Sequence, residues 1–453
     1  MTDIFSVSPL AFLIFPVFYW ATLRWKRINL LILFAFSILI YSWGHFDRGL
    51  LLLLLTVIDF LLVRYIYPLQ RIRKTAFISG ILLNVVVWLF FKQNLQNIFI
   101  TNPFSSPLGI SFYMLRKISF LIDNFQNPED IDINFVEYGI CVSFFPQLLS
   151  GPIERPAAFV KKIRRETKID LPKIAAAGKL IIFGLVKKII VADNLRLIVD
   201  RIFQLNHPSR LLAMLGILGF SIQLFCDFSG YTDISRGAAY LLGIETAENF
   251  NKPYLSTSPS EFWRRWHITF SNWLQTYIFN PIRRFCLKRW THSSFVCELI
   301  PPLVTMVFSG FWHGNGILFI VWGIYHGFII YIYRVLKLES KHENLKGGNL
   351  LSRWLLTYSL IQIGWIFFRA PSLVWIYDLV TSSSWGFSGS QFTVSLSLIS
   401  MIAMYTLPII LFRIIEKGSR VRPFTEPIFY AVAVIVLIIF SGSGVQEFVY
   451  TGF

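Results

Sequence analysis

Long blocks of apolar residues alternate along the chain with short polar or basic segments. Blocks such as Leu50–Tyr67 and Ala76–Phe91 approach the roughly 20 residues with which a helix crosses a membrane. The pattern therefore predicts an all-α, polytopic membrane helix bundle with about 11 spanning helices, plus shorter re-entrant or interfacial helices. The other predicted spans include Ser8–Leu23, Leu30–Trp43, Asn134–Leu149, Leu211–Phe228, Pro302–Val335 (one span or two broken ones), Trp354–Phe368, Val394–Phe412 and Pro427–Phe440.

Two segments carry cations inside apolar runs. Leu108–Ile122 contains Arg116 and Lys117 in its middle, and we predict a re-entrant segment there rather than a simple span. Ile174–Val191 contains three lysines and is predicted to be an amphipathic helix.

The chain is predicted to form a single membrane domain, and no internal repeat stands out in it. Its N-terminal spans occupy residues 1–105, a core with the motifs described below occupies residues 106–335, and C-terminal spans occupy residues 336–453. The most polar loop, Lys337–Gly348, begins the last of these segments.

Composition supports a membrane protein and excludes an ordinary soluble one. Of the 453 residues, 55% are hydrophobic and 15% are charged, against about 25% charged in soluble domains. The net charge is +17, but the basic residues form short clusters beside the spans. This distribution indicates cytoplasmic loops rather than a surface for nucleic acid.

The basic clusters also predict an orientation in the cell inner or plasma membrane. Arg24–Arg27 and Arg71–Lys74 alternate with loops that are poor in basic residues. The positive-inside rule then places these clusters in the cytoplasm and the N-terminus outside. The first apolar run lacks a basic start, so we interpret it as a retained helix and not a cleaved signal peptide.

Common catalytic and metal motifs are missing from the sequence. The four cysteines form no Cys-x-x-Cys pair, so their spacing predicts no metal site. Neither a Gly-x-Ser-x-Gly elbow nor a His-Glu-x-x-His pair occurs, which leaves a serine hydrolase or zinc protease without support. We expect no bound cofactor.

Polar residues that interrupt apolar segments are functional candidates, because burying them in a membrane is costly. The first such place is Gln223–Asp233, where Asp227 and Asp233 interrupt an apolar run. Two interpretations remain open for Asp227: a cap at a helix end or a member of a site.

The second place is an aromatic segment around His267. On one helix Trp263, His267, Phe270 and Leu274 share a stripe, so His267 is expected to face an aromatic wall. A histidine in such surroundings is either a hydrogen-bonded core residue or part of a site, and both interpretations remain open.

The third place combines His313 with several glycines inside an apolar stretch. Glycine permits a break or a close approach of the backbone, and broken helices occur at membrane depth only inside protein or beside a cavity. Near pH 7 a neutral imidazole can take a proton from a hydroxyl. On a continuous helix His326 would lie roughly 220° around from His313, which favours a structural role for His326.

Taken together, the motifs resemble the membrane-bound O-acyltransferase superfamily. The closer match is to the bacterial branch of alginate O-acetyltransferase membrane subunits and D-alanyl transfer proteins. The matching stretches occur in the family's order and include Leu108–Tyr113, Ser143–Gln147, Gly151–Ile153, Asp227–Tyr231, Glu248–Asn251, Pro253-Tyr254, Phe262–His267 and Trp312–Gly314.

The resemblance implies a helix bundle with a central funnel or tunnel, and an acyl thioester donor such as acetyl-CoA on the cytoplasmic side. It implies that His313 is the catalytic histidine and that His267, the family's second histidine, has a supporting catalytic role. Substrate-binding roles are expected for Asp227, Asn249, Trp266 and Trp312.

The acceptor implied by the resemblance is a hydroxyl outside the cytoplasm, on a polysaccharide or on a secreted or membrane-anchored partner protein that relays the acyl group. Alginate-type members usually have a Gly-Gly-Asn-Arg loop where this chain has Asn280–Arg284, so another polysaccharide, a teichoic acid or a small molecule remains open. From charge alone, the CoA phosphates are expected at Lys161, Lys162, Arg164 and Arg165.

Two alternatives remain at this point. One is D-alanyl transfer from an acyl carrier protein toward teichoic acid. The other is a transporter or flippase without chemistry, whose usual features are inverted repeats and paired broken helices, neither of which is evident in the sequence.

Overall fold

A computed structural model describes residues 9–92, 107–127, 132–290, 294–339, 347–386, 389–415 and 422–440. Within these ranges the regular secondary structure is helical, and the only β-pairing is one isolated antiparallel bridge between Phe250 and Trp266. The α-helices are α1 (Pro9–Ala21), α2 (Lys26–Ser42), α3 (Phe46–Leu61), α4 (Arg73–Lys92), α5 (Ile110–Gln126), α6 (Phe135–Ser143), α7 (Pro156–Arg164), α8 (Leu171–Leu185), α9 (Asp193–Gln204), α10 (Arg210–Leu241), α11 (Pro259–Arg265), α12 (Ile268–Leu274), α13 (Asn280–Arg289), α14 (Ser294–His313), α15 (Ile317–Val335), α16 (Gly348–Arg369), α17 (Leu373–Thr381), α18 (Gly389–Ile415) and α19 (Arg422–Phe440).

Seven of the described helices are long and apolar enough to cross a membrane. They are Phe46–Ile66, Arg73–Lys92, Arg210–Leu241, Phe295–His313, Ile317–Val335, Gly389–Phe412 and Pro423–Phe440. The architecture confirms the predicted all-α polytopic membrane protein, with fewer long spans in the described part than the about 11 that block length predicted.

One predicted span is wrong. In place of Asn134–Leu149 the structure has α6, a helix of 9 residues, which at its usual rise covers only about 14 Å. The helix ends shortly before Pro146, because proline disfavours the helical conformation of the residue that precedes it. Apolar block length was therefore a poor guide to helix length here.

The described helices divide into two compact units. The first comprises Met1–Ile181 with Thr232–Ala247, and the second comprises Ile182–Tyr231 with Glu248–Phe453. All six predicted site residues belong to the second unit. The boundaries that we drew after residues 105 and 335 stay a prediction.

Within the first unit, the cations of the segment predicted to be re-entrant are structural anchors. Lys117 Nζ lies 2.7 Å from Asp59 Oδ2, both side chains being fully buried, and Asn84 Nδ2 donates to Asp59 Oδ1 at 2.9 Å. Arg116 donates to the carbonyl oxygen of Gln147 at 2.8 Å. Pairing offsets the desolvation cost of buried charge, so α5 can carry both cations inside apolar surroundings.

In the second unit, α14 and α15 form an antiparallel hairpin whose backbones touch. A Cβ atom added to Gly323 would lie 2.4 Å from the carbonyl oxygen of Met306, and one added to Gly327 would lie 2.7 Å from Leu303 Cα. Only glycine allows helices to approach this closely. Pro302–Val335 is therefore two helices, one of the two predicted alternatives.

Candidate active site

His267 lies at a break between two short helices. α11 is capped by Ser258, whose side chain accepts from the backbone of Glu261, and it ends at Arg265. His267 then adopts the left-handed conformation, with φ 43° and ψ 53°, and α12 begins at Ile268. The predicted continuous helical stripe through His267 is wrong, because this left-handed residue redirects the chain.

Asn249 holds this turn in place. Its carbonyl oxygen accepts from the backbone N–H of Ile268 at 2.9 Å, and its Oδ1 accepts from both the N–H (3.2 Å) and the hydroxyl (2.6 Å) of Thr269. Its Nδ2 is buried and has no hydrogen-bond partner among the described residues. The side chain thus orients the His267 turn and retains one free donor.

The imidazole of His267 is packed among aromatic rings and is 1% exposed. The ring of Phe228 is 4.6 Å away edge-on, that of Phe270 is stacked at 5.0 Å, and that of Trp312 is 6.1 Å away. The expected aromatic wall is confirmed. His267 lies outside the seven candidate spans, and burial lowers its pKa to about 3, so the ring is neutral near pH 7.

His313 is the last residue of α14, immediately before the chain turns back into α15. It is 5% exposed, whereas Asn315 in the turn is exposed. Its ring lies 5.5 Å from Trp322 and 5.3 Å from Phe368, both edge-on. The imidazole is therefore enclosed by aromatic rings just inside an exposed turn.

Two aromatic residues connect the histidines. Phe270 lies 5.0 Å from His267 and 5.8 Å from His313, measured between ring centroids. Trp312 lies 6.1 Å from His267 and 4.9 Å from His313. The structure thus brings His267, Trp312 and His313 together around Phe270, which the sequence reasoning had not singled out as a site residue.

Trp266 takes part in packing next to this site. Its buried indole is stacked on Phe262 at 5.5 Å and lies 5.1 Å from Phe250 and 5.2 Å from Trp365. These contacts support the strand-like pairing that leads into the His267 turn. The substrate-binding roles predicted for Trp266 and Trp312 stay predictions.

Asp227 lies in the middle of α10, and the helix continues through it. The interpretation of Asp227 as a helix cap is therefore wrong. Its Oδ1 lies 2.7 Å from Nζ of the buried Lys188, which also lies 2.7 Å from Asp193 Oδ1. Asp227 directly precedes Phe228, whose ring contacts His267, so α10 contributes to both the ion pair and the histidine site.

The lysines near Asp227 correct the prediction of an amphipathic helix over Ile174–Val191. α8 continues into a π-helical turn, Val186–Ala192, in which Lys187 and Lys188 are buried, whereas Lys179 is exposed. The wider turn directs the two later lysines inward, where Lys187 donates to Ser229 at 3.1 Å. The segment is amphipathic only before this turn.

Two of the four basic residues proposed for the CoA phosphates already pair with carboxylates. Lys162 pairs with Glu154, and Arg164 Nε lies 2.7 Å from Glu137 Oε1. Lys161 and Arg165, the other two, are exposed.

The sequence reasoning missed the contact of His326 with this site. The α14–α15 hairpin brings the ring of His313 to 5.5 Å from that of Trp322. His326 lies four residues after Trp322 on α15, and its ring is 4.8 Å from the same indole. The signal was present in the sequence, since a Gly-Asn-Gly turn followed by Gly323 and Gly327 is typical of a tight helical hairpin.

One cavity in the second unit has a volume of about 300 Å³ and is almost wholly apolar. Its lining includes no predicted site residue; it consists of Val186, Ile190, Met404, Tyr405, Pro408, Ile409, Phe429, Val432, Ala433, Val436 and Phe440. The central funnel or tunnel stays a prediction. Among the described residues, no group of three His, Cys, Asp or Glu side chains is placed to hold a metal ion.

The chain is similar to known proteins over most of its length. Residues 38–346 match the model of the membrane-bound O-acyltransferase family. A probable alginate O-acetylase, AlgI, of Azotobacter vinelandii is 32% identical over 82% of this chain and 76% of the relative. A peptidoglycan O-acetyltransferase of Helicobacter pylori is 31% identical over 66% of this chain and 63% of the relative. A teichoic acid D-alanyltransferase of Bacillus subtilis is 28% identical over 76% and 91% respectively.

Proposed function

The chain belongs to the membrane-bound O-acyltransferase family and is a multi-pass membrane O-acyltransferase, and from that premise we propose that it transfers an acetyl group from acetyl-CoA to a hydroxyl outside the cytoplasm. The acceptor is a polysaccharide, or a partner protein that relays the group to one. The observation that carries the proposal is the enclosure of His313 by aromatic rings directly beside an exposed turn. The names of the alginate and peptidoglycan relatives support acetyl as the group.

In the proposed mechanism His313 is the general base. Its neutral imidazole takes the proton of the acceptor hydroxyl as the oxygen attacks the thioester carbonyl. The carbon–sulfur bond then breaks, and the imidazolium returns the proton to the departing CoA sulfur. The products are an O-acetyl ester and CoA with a free thiol, and His313 is neutral again.

The surrounding rings protect this chemistry from water. Trp312, Trp322 and Phe368 pack around the His313 imidazole. Water in the site would compete with the acceptor hydroxyl and hydrolyse the donor, so excluding it favours transfer over hydrolysis.

His267 is proposed to orient substrate and not to act as a cation, since burial keeps its ring neutral. The free Nδ2 donor of Asn249 and the carboxylate of Asp227 are proposed to bind donor or acceptor beside it. The exposed Lys161 and Arg165 are proposed to contact the CoA phosphates from the cytoplasm.

A second candidate function is D-alanyl transfer from a carrier protein toward teichoic acid. The observation that favours it is the match to the Bacillus subtilis D-alanyltransferase, which extends over 91% of that relative. Turnover with a D-alanyl carrier protein and none with acetyl-CoA would select this reaction.

The experiment that tests the proposal measures transfer of labelled acetyl from acetyl-CoA by the purified protein together with its partner and acceptor. We expect His313→Ala to lower kcat by about 100-fold or more, the usual effect of losing a general base. His207→Ala, which changes an exposed histidine, is the matched control and is expected to keep wild-type activity. Wild-type turnover in the His313→Ala protein would contradict the general-base role.

A further inference from the structure

The rings of Trp263, Trp322 and His326 contact one another in all three pairs. The ring centroids of Trp263 and Trp322 are 5.5 Å apart, those of Trp322 and His326 are 4.8 Å apart, and those of Trp263 and His326 are 5.0 Å apart. The interplanar angles are 89°, 65° and 88°, so each pair is edge-on. We call this arrangement the indole–imidazole triangle (Trp263, Trp322 and His326).

The three residues of the triangle carry buried polar atoms that have no hydrogen-bond partner in the described part of the chain. The indole nitrogens of Trp263 and Trp322 and both ring nitrogens of His326 are buried without a hydrogen-bond partner in the described part of the chain. His326 is 1% exposed and Trp322 is fully buried. An unsatisfied buried donor or acceptor costs about 1–3 kcal/mol, and native proteins usually satisfy such groups with protein or with ordered water.

The hydrogen-bonding capacity of these atoms defines which small molecule could bind to them. The two indole N–H groups are donors only, whereas a neutral imidazole offers one donor and one acceptor. A water molecule makes two to four hydrogen bonds in buried polar sites and can accept from an indole while donating to the imidazole. By its hydrogen-bonding chemistry, water therefore complements these donors and this acceptor.

One member of the triangle, Trp322, also packs against His313, the proposed general base. The indole of Trp322 meets the ring of His313 edge-on, at 5.5 Å and 84°. Phe368 packs against both rings, 5.5 Å from Trp322 and 5.3 Å from His313. A rotation of the Trp322 indole would therefore change the space in which the His313 imidazole sits.

His326 is itself held tightly by the neighbouring helix. A Cβ atom added to Gly364 of α16 would lie 2.3 Å from His326 Nε2. Glycine at this place leaves room for the imidazole, and any larger residue would displace it. The position of His326 is thus set from both sides, by Trp322 and by α16.

We propose that His326 is a positioning residue for acyl transfer: it binds an ordered water within the triangle and thereby fixes, through Trp322, the orientation of the His313 imidazole. The inference rests on the proposed role of His313 as general base. It assigns to His326 a function that the helical spacing alone argued against.

Two substitutions separate hydrogen bonding from packing at His326. His326→Leu removes both nitrogens, and His326→Asn keeps a donor and an acceptor. We expect His326→Leu to lower kcat by about 10-fold or more, as misplaced catalytic groups do, with KM for the donor little changed and the pH profile of kcat shifted. We expect His326→Asn to recover most of the activity. Wild-type kcat in His326→Leu, or equal losses in both variants that follow a loss of folded protein, would overturn the proposal.

A third substitution changes Gly364, the residue that packs against His326. Gly364→Ala pushes a methyl group against Nε2 and is expected to reduce kcat as His326→Leu does. Gly348→Ala is the matched control on the same helix, since nothing lies within 4 Å of its added Cβ atom. Wild-type kcat in Gly364→Ala would count against a fixed His326.

The outcomes distinguish this inference from the function on which it rests. If His313→Ala is active, the general-base proposal fails regardless of His326. If His313→Ala is inactive while His326→Leu and Gly364→Ala turn over like the wild type, the positioning role alone fails.

Discussion

At the scale of residues, His267 adopts an unfavourable left-handed backbone conformation and also buries its polar imidazole ring. A non-glycine residue in the left-handed region costs of order 1–3 kcal/mol and persists only where its surroundings enforce it. Here Asn249 supplies that enforcement, because it accepts hydrogen bonds from Ile268 and Thr269, the two residues directly after His267. Strain of this kind is typical of functional sites, which agrees with the predicted role of His267.

Asn249→Ala tests this dependence. The change removes the acceptor of two hydrogen bonds from Thr269, so we expect the free energy of unfolding to fall by about 1–3 kcal/mol and kcat to fall with the loss of His267 placement. Thermal unfolding in detergent and acetyl transfer are the measurements. Asn272→Ala, at an exposed position of the following helix, is the control; if the two variants behave alike, Asn249 does not hold the turn.

At the scale of elements, the α14–α15 hairpin decides which residues meet at the site. Its contacts pair Gly310 with Phe319, Gly323 with Met306 and Gly327 with Leu303. This register places His313 at one end and turns Trp322 and His326 toward the same aromatic cluster. The arrangement of the candidate site therefore depends on backbone contact between the two helices.

Gly323→Ala tests the hairpin. The added methyl group would lie 2.4 Å from the carbonyl oxygen of Met306, so the helices must separate, at the roughly 1–3 kcal/mol typical of overpacking. We expect a lower unfolding temperature and reduced acetyl transfer. Gly316→Ala in the same hairpin is the control, because its nearest neighbour would be 3.9 Å away. A Gly323→Ala protein as stable as this control would contradict the tight packing.

At the scale of the whole molecule, the chain is a membrane enzyme whose predicted site residues all belong to one of its two compact units. The positive-inside rule predicts which loops face the cytoplasm, and the four native cysteines are all buried. An introduced surface cysteine therefore reports its own side of the membrane with little background.

Cysteine labelling tests the predicted orientation. Arg27→Cys and Lys74→Cys lie in basic clusters that we place in the cytoplasm, so a membrane-impermeant maleimide should label them only after the cells are opened. Phe46→Cys, at the first residue of α3 and next to the intervening loop, should react in intact cells. All three positions are exposed in the structure. Labelling of Arg27→Cys in intact cells would reverse the orientation.

The sequence by itself determined the membrane class, the helical architecture and the family, because each depends on local properties. Hydropathy over about 20 residues is enough to predict a span, and the ordered short motifs led to the family that the comparison confirmed. The aromatic surroundings of His267 were predictable only in part, since Phe270 is three residues away in the chain whereas Phe228 and Trp312 come from distant segments.

Only the tertiary structure decided how these residues meet. The left-handed turn at His267 depends on Asn249, the pairing of Asp227 depends on Lys188, and the approach of Trp263 to His326 depends on the packing of α11 against α15. Each is a contact between residues far apart in the chain, or a backbone turn that such contacts stabilise. Helical periodicity assumes that a helix continues, so it could not predict the places where distant hydrogen bonds and backbone contact made the chain turn.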